Sequence, residues 1–151
     1  KIVTAIDRGA ANTRWRDFVD IASISRTQAI DGGELAASIR VVANHRNVGI
    51  RGLDESLAGM GEVAQPRWSA WRRKQRLASS TPERFHDLLD EVMTFAAPVL
   101  DGSAGGLTWQ SSAWAARSAT THVDRNLAAS GRACGGCIHA SVFSRCLSSR
   151  P

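Results

Sequence analysis

Cysteine is missing from the part of the chain where a core would form. All three cysteines, Cys134, Cys137 and Cys146, lie in the last 18 residues. An odd count so placed, with no basic n-region and apolar h-region at the start, argues against a disulfide framework and points to a reducing cytoplasm. No run of 18 apolar residues occurs, so a membrane-spanning helix is not expected. Acids are scarcest at the end of the chain. Residues 102–151 hold five arginines against a single acid, Asp124, while residues 1–101 carry 14 Lys+Arg and 13 Asp+Glu. The net charge of +5 therefore belongs mostly to the tail. Seventeen of the 19 bases are arginine, which fits a GC-rich coding sequence better than selection for guanidinium chemistry. An initiator methionine is also missing, and "KIVTAIDRGAA" opens within a helical period, the pattern expected of part of a longer chain.

What remains reads as helix. Ile2, Val3, Ile6 and Ala10 recur at helical spacing over residues 1–11, with Gly9 an interruption and Asn12-Thr13 a break and a new N-cap. The period resumes over 14–25 through Trp15, Phe18, Val19 and Ala22. Asp31 followed by Glu34 is a capping-box-like start for a helix over 32–46. A helix over 54–64 is weakened by Gly59 and Gly61, and Pro66 opens the next, which runs to about residue 77. In "STPERFHDLLDEVMTFAAPVLDG", Thr81 is placed to cap and Pro82 to occupy the first position. Phe85, Leu88, Leu89, Val92, Phe95, Ala96 and Val99 form one stripe, Pro98 bends the last turn, and Asp101-Gly102 stops the helix. No strand is expected in residues 1–101, so this part is a mainly α bundle of five or six helices. Residues 102–151, rich in Ser, Ala, Gly and Arg, read as a low-complexity, poorly ordered tail whose bias resembles sequence translated out of its native frame.

Three constellations could carry chemistry. In "RWRDFVD", Asp17 and Asp20 share a helical face, with Arg14 and Arg16 nearby and Trp15, Phe18, Val19 and Ala22 opposite. Paired acids could position Mg²⁺ or act as a base; equally, they could form surface ion pairs of about 0.5 kcal/mol each. In "PRWSAWRRKQR", Arg67, Trp71, Arg72, Arg73, Lys74 and Arg76 form a basic, aromatic-bearing helix with no acid between Glu62 and Glu83. Such a face suits an RNA backbone, while the plainer reading makes the tryptophans packing residues and the bases a solvated surface. In "CGGCIH", Cys134, Cys137, His139 and Cys146 could hold zinc, but their spacing matches no common finger. His45, His86 and His122 stand alone and read as surface or packing residues.

The segment "KIVTAIDRGAANTRWRDFVDI" resembles the pattern E-K-h-x-A-h-x-x-h-G-x-x-N-x-R-x-K-D-h-h-D-h (h apolar) of the AbiEii/AbiGii family of nucleotidyl transferase toxins, the toxin halves of type IV toxin–antitoxin, abortive-infection systems. The matching positions are Lys1, Ala5, Gly9, Asn12, Arg14, Arg16 (where many members have Lys), Asp17, Phe18, Asp20 and Ile21. The stretch from Leu57 to Gly102 resembles the family's C-terminal helical part. The resemblance implies the C-terminal half of a polymerase-β-like nucleotidyltransferase, a bacterial enzyme that moves a nucleotide from a Mg-bound NTP to an acceptor such as tRNA and is opposed by a cognate antitoxin. It implies that Lys1 contacts phosphates and Asp17 is the catalytic acid, either base or orienter, with Asp20 supporting Arg14 or Arg16. The family's metal motif, Gly-Ser followed by Asp-x-Asp, is absent: Gly102-Ser103 leads to no such pair. The chain by itself is therefore expected to hold no metal or NTP and to lack activity. The rival expectation is a non-catalytic helical module that binds RNA or protein.

Overall fold

A computed structural model describes residues 1–116. The elements run α1 (Ile2–Arg8), a 3₁₀ turn (Gly9–Ala11), α2 (Trp15–Thr27), β1 (Ile30–Asp31), α3 (Gly32–His45), α4 (Leu53–Ser56), α5 (Met60–Val63), α6 (Gln65–Gln75), α7 (Phe85–Leu100), β2 (Leu107–Gln110) and β3 (Ala113–Ala116). The mainly α reading holds.

The long helix α7 is the axis of the core. Its seven-residue apolar stripe is buried in full, as the 3.6-residue period requires. Phe85 sits edge-on to Trp15 and Phe18, at ring separations of 5.0 and 5.6 Å, and 5.4 Å from Trp68. Four aromatic rings from α2, α6 and α7 thereby lock three helices at one end. Asp31 caps α3 as expected, its side chain accepting the Glu34 N–H at 2.9 Å. Gly59, at φ +70, takes a left-handed turn that costs other residues energy, and it divides the expected 54–64 helix into α4 and α5.

The expected start of α7 is corrected. The helix begins at Phe85, whose N–H donates to Gln65 Oε1 at 2.7 Å, and Thr81 does not cap it. Thr81 and Pro82 are taken by α6 instead. The Thr81 hydroxyl accepts from Arg72 Nε at 3.0 Å, and the Pro82 carbonyl accepts from the Trp68 indole at 3.2 Å. A local capping signal lost to tertiary hydrogen bonds of greater burial.

Two further expectations are corrected by the sheet. β1 lies within residues 1–101, where no strand was expected, and residues 107–116, read as part of the poorly ordered tail, form a hairpin. β1, β2 and β3 make an antiparallel sheet in that order, with Ile30 opposite Trp109 and Leu107 opposite Ala116. The hairpin turns through Ser111 and Ser112, both at positive φ, without the Asn-Gly signature that would announce such a turn. Burial of indole holds it down. Trp109 is 2% exposed and donates to the Ser25 carbonyl at 2.6 Å; Trp114 stacks on Phe95 at 5.8 Å and donates to its carbonyl at 3.1 Å. Gly32 permits the approach: a Cβ there would meet the Ala104 carbonyl oxygen at 2.2 Å.

Candidate functional site

The site is built where the start of α1 meets the first turns of α2. Asn12 sets the entry: its Oδ1 accepts the Arg14 N–H at 2.9 Å, a short Asx turn that launches α2. Asp17 follows in the first turn, where the helix dipole favours an anion. Its two oxygens face two cations. Oδ2 lies 3.0 Å from Arg14 Nε, and Oδ1 lies 3.6 Å from Lys1 Nζ, while the residue is only 6% exposed. Lys1 Nζ donates to Asp20 Oδ2 at 2.5 Å. The spacing of Asp17 and Asp20 thus places both carboxylates on the one ammonium.

The hydrogen bond from Lys1 to Asp20, joined by the charges of Asp20 and Asp17, holds the Lys1 ammonium above the usual lysine range against an opposing push from burial. Its pairing is therefore complete at neutral pH and is lost only as pH rises through that raised value. An ammonium has three N–H donors, and the Lys1 side chain is 43% exposed. Asp20 takes one donor and Asp17 approaches another, which leaves one without a partner among the described residues. Beside Lys1 runs an apolar groove of about 330 Å³ lined by Ile21, Ile24, Leu35, Ile39, Val42 and neighbours.

Lys1, Asp17, Arg14 and Asp20, expected to act together, are brought together. Asp20 is corrected in its role: it pairs with Lys1 and with neither Arg14 nor Arg16. Arg16 is exposed and makes no ion pair among the described residues. The carboxylates do not suit a divalent cation by themselves. Both Asp17 oxygens and one of Asp20 already face positive groups, which a metal ion would have to displace.

The basic helix is divided. Arg67, Arg73, Lys74 and Arg76 are exposed and make no ion pair among the described residues. Trp71 is half-buried and stacks on buried Trp68 at 5.5 Å. Arg72, expected on the RNA face, is corrected: it is 9% exposed and donates to Thr81 Oγ1, to the Ala78 carbonyl at 2.7 Å and to the Thr81 carbonyl at 2.9 Å, over the Trp68 ring. It is a structural cation that ties the α6–α7 connection to α6. Arg72→Ala strands those acceptors and is expected to lower unfolding free energy by about 3 kcal/mol in urea denaturation, whereas Arg73→Ala stays within about 0.5 kcal/mol of the parent.

His45 and His86 are exposed, and His86 lies 3.3 Å from Asp90. Cys134, Cys137, His139, Cys146 and His122 lie outside the described residues. Asn12-Thr13, expected to cap α2, is corrected: the N-cap is Arg14, without a side-chain cap, and Asn12 is 1% exposed with its Nδ2 unpartnered. Its place two residues before Arg14 was the available signal for the Asx turn.

The model of the family described as "Nucleotidyl transferase AbiEii toxin, Type IV TA system" matches residues 1–92. No curated protein and no solved structure matches the chain. The chain belongs to the AbiEii nucleotidyl transferase toxin family, whose type IV system implies a cognate antitoxin. Among the described residues, no helix is long and apolar enough to cross a membrane.

Proposed function

We propose that this chain supplies the lysine–aspartate side of a nucleotidyl-transfer site and a basic surface for an RNA acceptor such as tRNA. The observation that carries the reading is the convergence of Lys1, Asp17 and Arg14 from two helices on one partly buried cluster. Phosphoryl-group chemistry needs positioned cations around the transferring phosphorus more than it needs covalent help. Lys1, held by two carboxylates with one N–H to spare, is a hydrogen-bond donor to phosphate of that kind. Asp17, each oxygen facing a cation and little exposed, acts as an orienter of Lys1 and Arg14 rather than as a base. The Asp-x-Asp that would hold metal is nowhere in these 151 residues, so transfer requires a metal-bearing segment in addition to this chain. An RNA acceptor places the reaction in the cytoplasm. The test is transfer of label from each of the four NTPs to tRNA by a complete toxin that contains this chain. Label in tRNA supports the reading; none with any NTP counts against it.

The alternative, a non-catalytic module, shares the basic face but not the Lys1 cluster. Charge reversal of Arg73 and Arg76 is expected to weaken RNA binding at least tenfold at low salt and to flatten the salt dependence by about one to two phosphate contacts. Fluorescence anisotropy across a salt series reads both. Equal affinity at every salt concentration removes the RNA surface from either reading.

A further inference from the structure

We propose that Trp71 on α6 is a stacking platform for one unpaired base of a single-stranded RNA, with Arg67 and Lys74 holding the phosphates on either side of that base. Arg67, Trp71 and Lys74 stand at i, i+4 and i+7, one stripe that runs beside buried Trp68 and Arg72. The two cations lie about 10 Å apart along the helix axis, with the indole between them. Both are exposed, and neither makes an ion pair among the described residues. No acid falls between Glu62 and Glu83 to neutralise them locally.

Trp71 differs from the other tryptophans. Trp68, Trp109 and Trp114 each donate the indole N–H to a backbone carbonyl, and Trp15 is only 7% exposed. Trp71 is half-buried, and its N–H has no acceptor among the described residues. That N–H reaches solvent, because Asn12 Nδ2 is the one buried side-chain group among the described residues that lacks a partner. The ring is backed rather than loose. It stacks on Trp68 at 5.5 Å, 20° from parallel, and Trp68 is fully buried with its N–H on the Pro82 carbonyl at 3.2 Å. A ring held in this way loses little side-chain freedom when a base is laid on it. Stacking on an aromatic tolerates any base but needs an open base face, which a duplex covers with its own neighbours. Phosphates are present in both forms. The cations therefore hold either form, and Trp71 favours the unpaired one. The proposal rests on the RNA-acceptor reading for the polymer; the unpaired state follows from Trp71.

The test measures binding of the full 151-residue chain to a short single-stranded RNA of mixed sequence and to the same sequence as a duplex, across a salt series. The single strand is expected to bind about tenfold more tightly, a factor within the worth of one stacked base. Trp71→Leu is expected to remove that advantage while leaving duplex affinity and its salt dependence in place, and Trp71→Phe, which keeps a ring, to retain most of it. Arg67→Gln combined with Lys74→Gln weakens both RNAs together and flattens the salt dependence. The Trp71 indole N–H resonance of the parent chain, assigned by its loss in Trp71→Phe, is expected to shift saturably with the single strand and not with the duplex; this reads the site even where Trp71→Leu fails to fold. Equal affinities for the two forms, a single-strand preference unchanged in Trp71→Leu, or a Trp71 N–H that ignores the single strand overturns the proposal and leaves a salt-dependent RNA surface standing. Binding of neither RNA at any salt concentration overturns the RNA-acceptor reading, and the platform with it.

Discussion

Asp17→Ala is expected to lower nucleotide incorporation into RNA by a complete toxin about 100- to 1,000-fold, the range typical of removing one preorganised electrostatic group from a site of charge transfer. The loss has a structural route. Without the carboxylate, Arg14 has no anion to hold its guanidinium, and Lys1 is drawn toward Asp20 alone. Two cations leave their positions at once. The helix itself should survive, since Phe18, Ile21 and Ala22 keep α2 in the core. Far-ultraviolet circular dichroism should therefore be unchanged. Asp17→Asn sharpens the test: it keeps the shape and one acceptor for Arg14 Nε but removes the charge. If incorporation falls in both variants, charge placement is what matters; undiminished incorporation in Asp17→Ala sinks the assignment.

The second large effect concerns stability. Trp109→Ala is expected to reduce unfolding free energy by about 3–5 kcal/mol, the usual cost of deleting a fully buried indole, and to lower Tm by more than about 10 °C. Trp109 packs edge-on against Phe95 at 5.1 Å and Trp114 at 5.3 Å, and its N–H satisfies the Ser25 carbonyl. Its removal opens a cavity beside α7 and frees that carbonyl. The hairpin and the helices should melt in one transition, because the indole is shared between them. Calorimetry that shows a wild-type Tm for Trp109→Ala would mean that residues 107–116 contribute nothing to the core.

Much of this architecture could be read along the chain because it is local. The stripe from Phe85 to Val99 needs only the helical period, and the Asp31 cap needs only a side chain within reach of an N–H three residues on. The shared face of Asp17 and Asp20 follows from the same period. Thr81 shows where that reasoning stops. Its capping pattern is genuine, but Arg72 and Trp68 compete for the same polar groups from another helix. The hairpin was hidden for a related reason: β1 is two residues long, Ser111-Ser112 is a weak turn signal, and the alternation Leu107-Thr108-Trp109-Gln110 lasts only four residues. Arg72 carried no mark in a run of bases to distinguish it from Arg73.

By itself, the chain's order of residues determined the helical class, the apolar stripe of α7, the start of α3 and the face on which the two acids stand. Each depends on neighbours within about four positions, where backbone geometry dictates who meets whom. Only the tertiary structure decided that Lys1 joins both acids, that Arg72 is a buried brace, that Asn12 keeps an unbonded amide, and that residues 107–116 close the core. Those outcomes depend on which distant groups win a shared partner, and that competition is settled by burial and packing rather than by spacing.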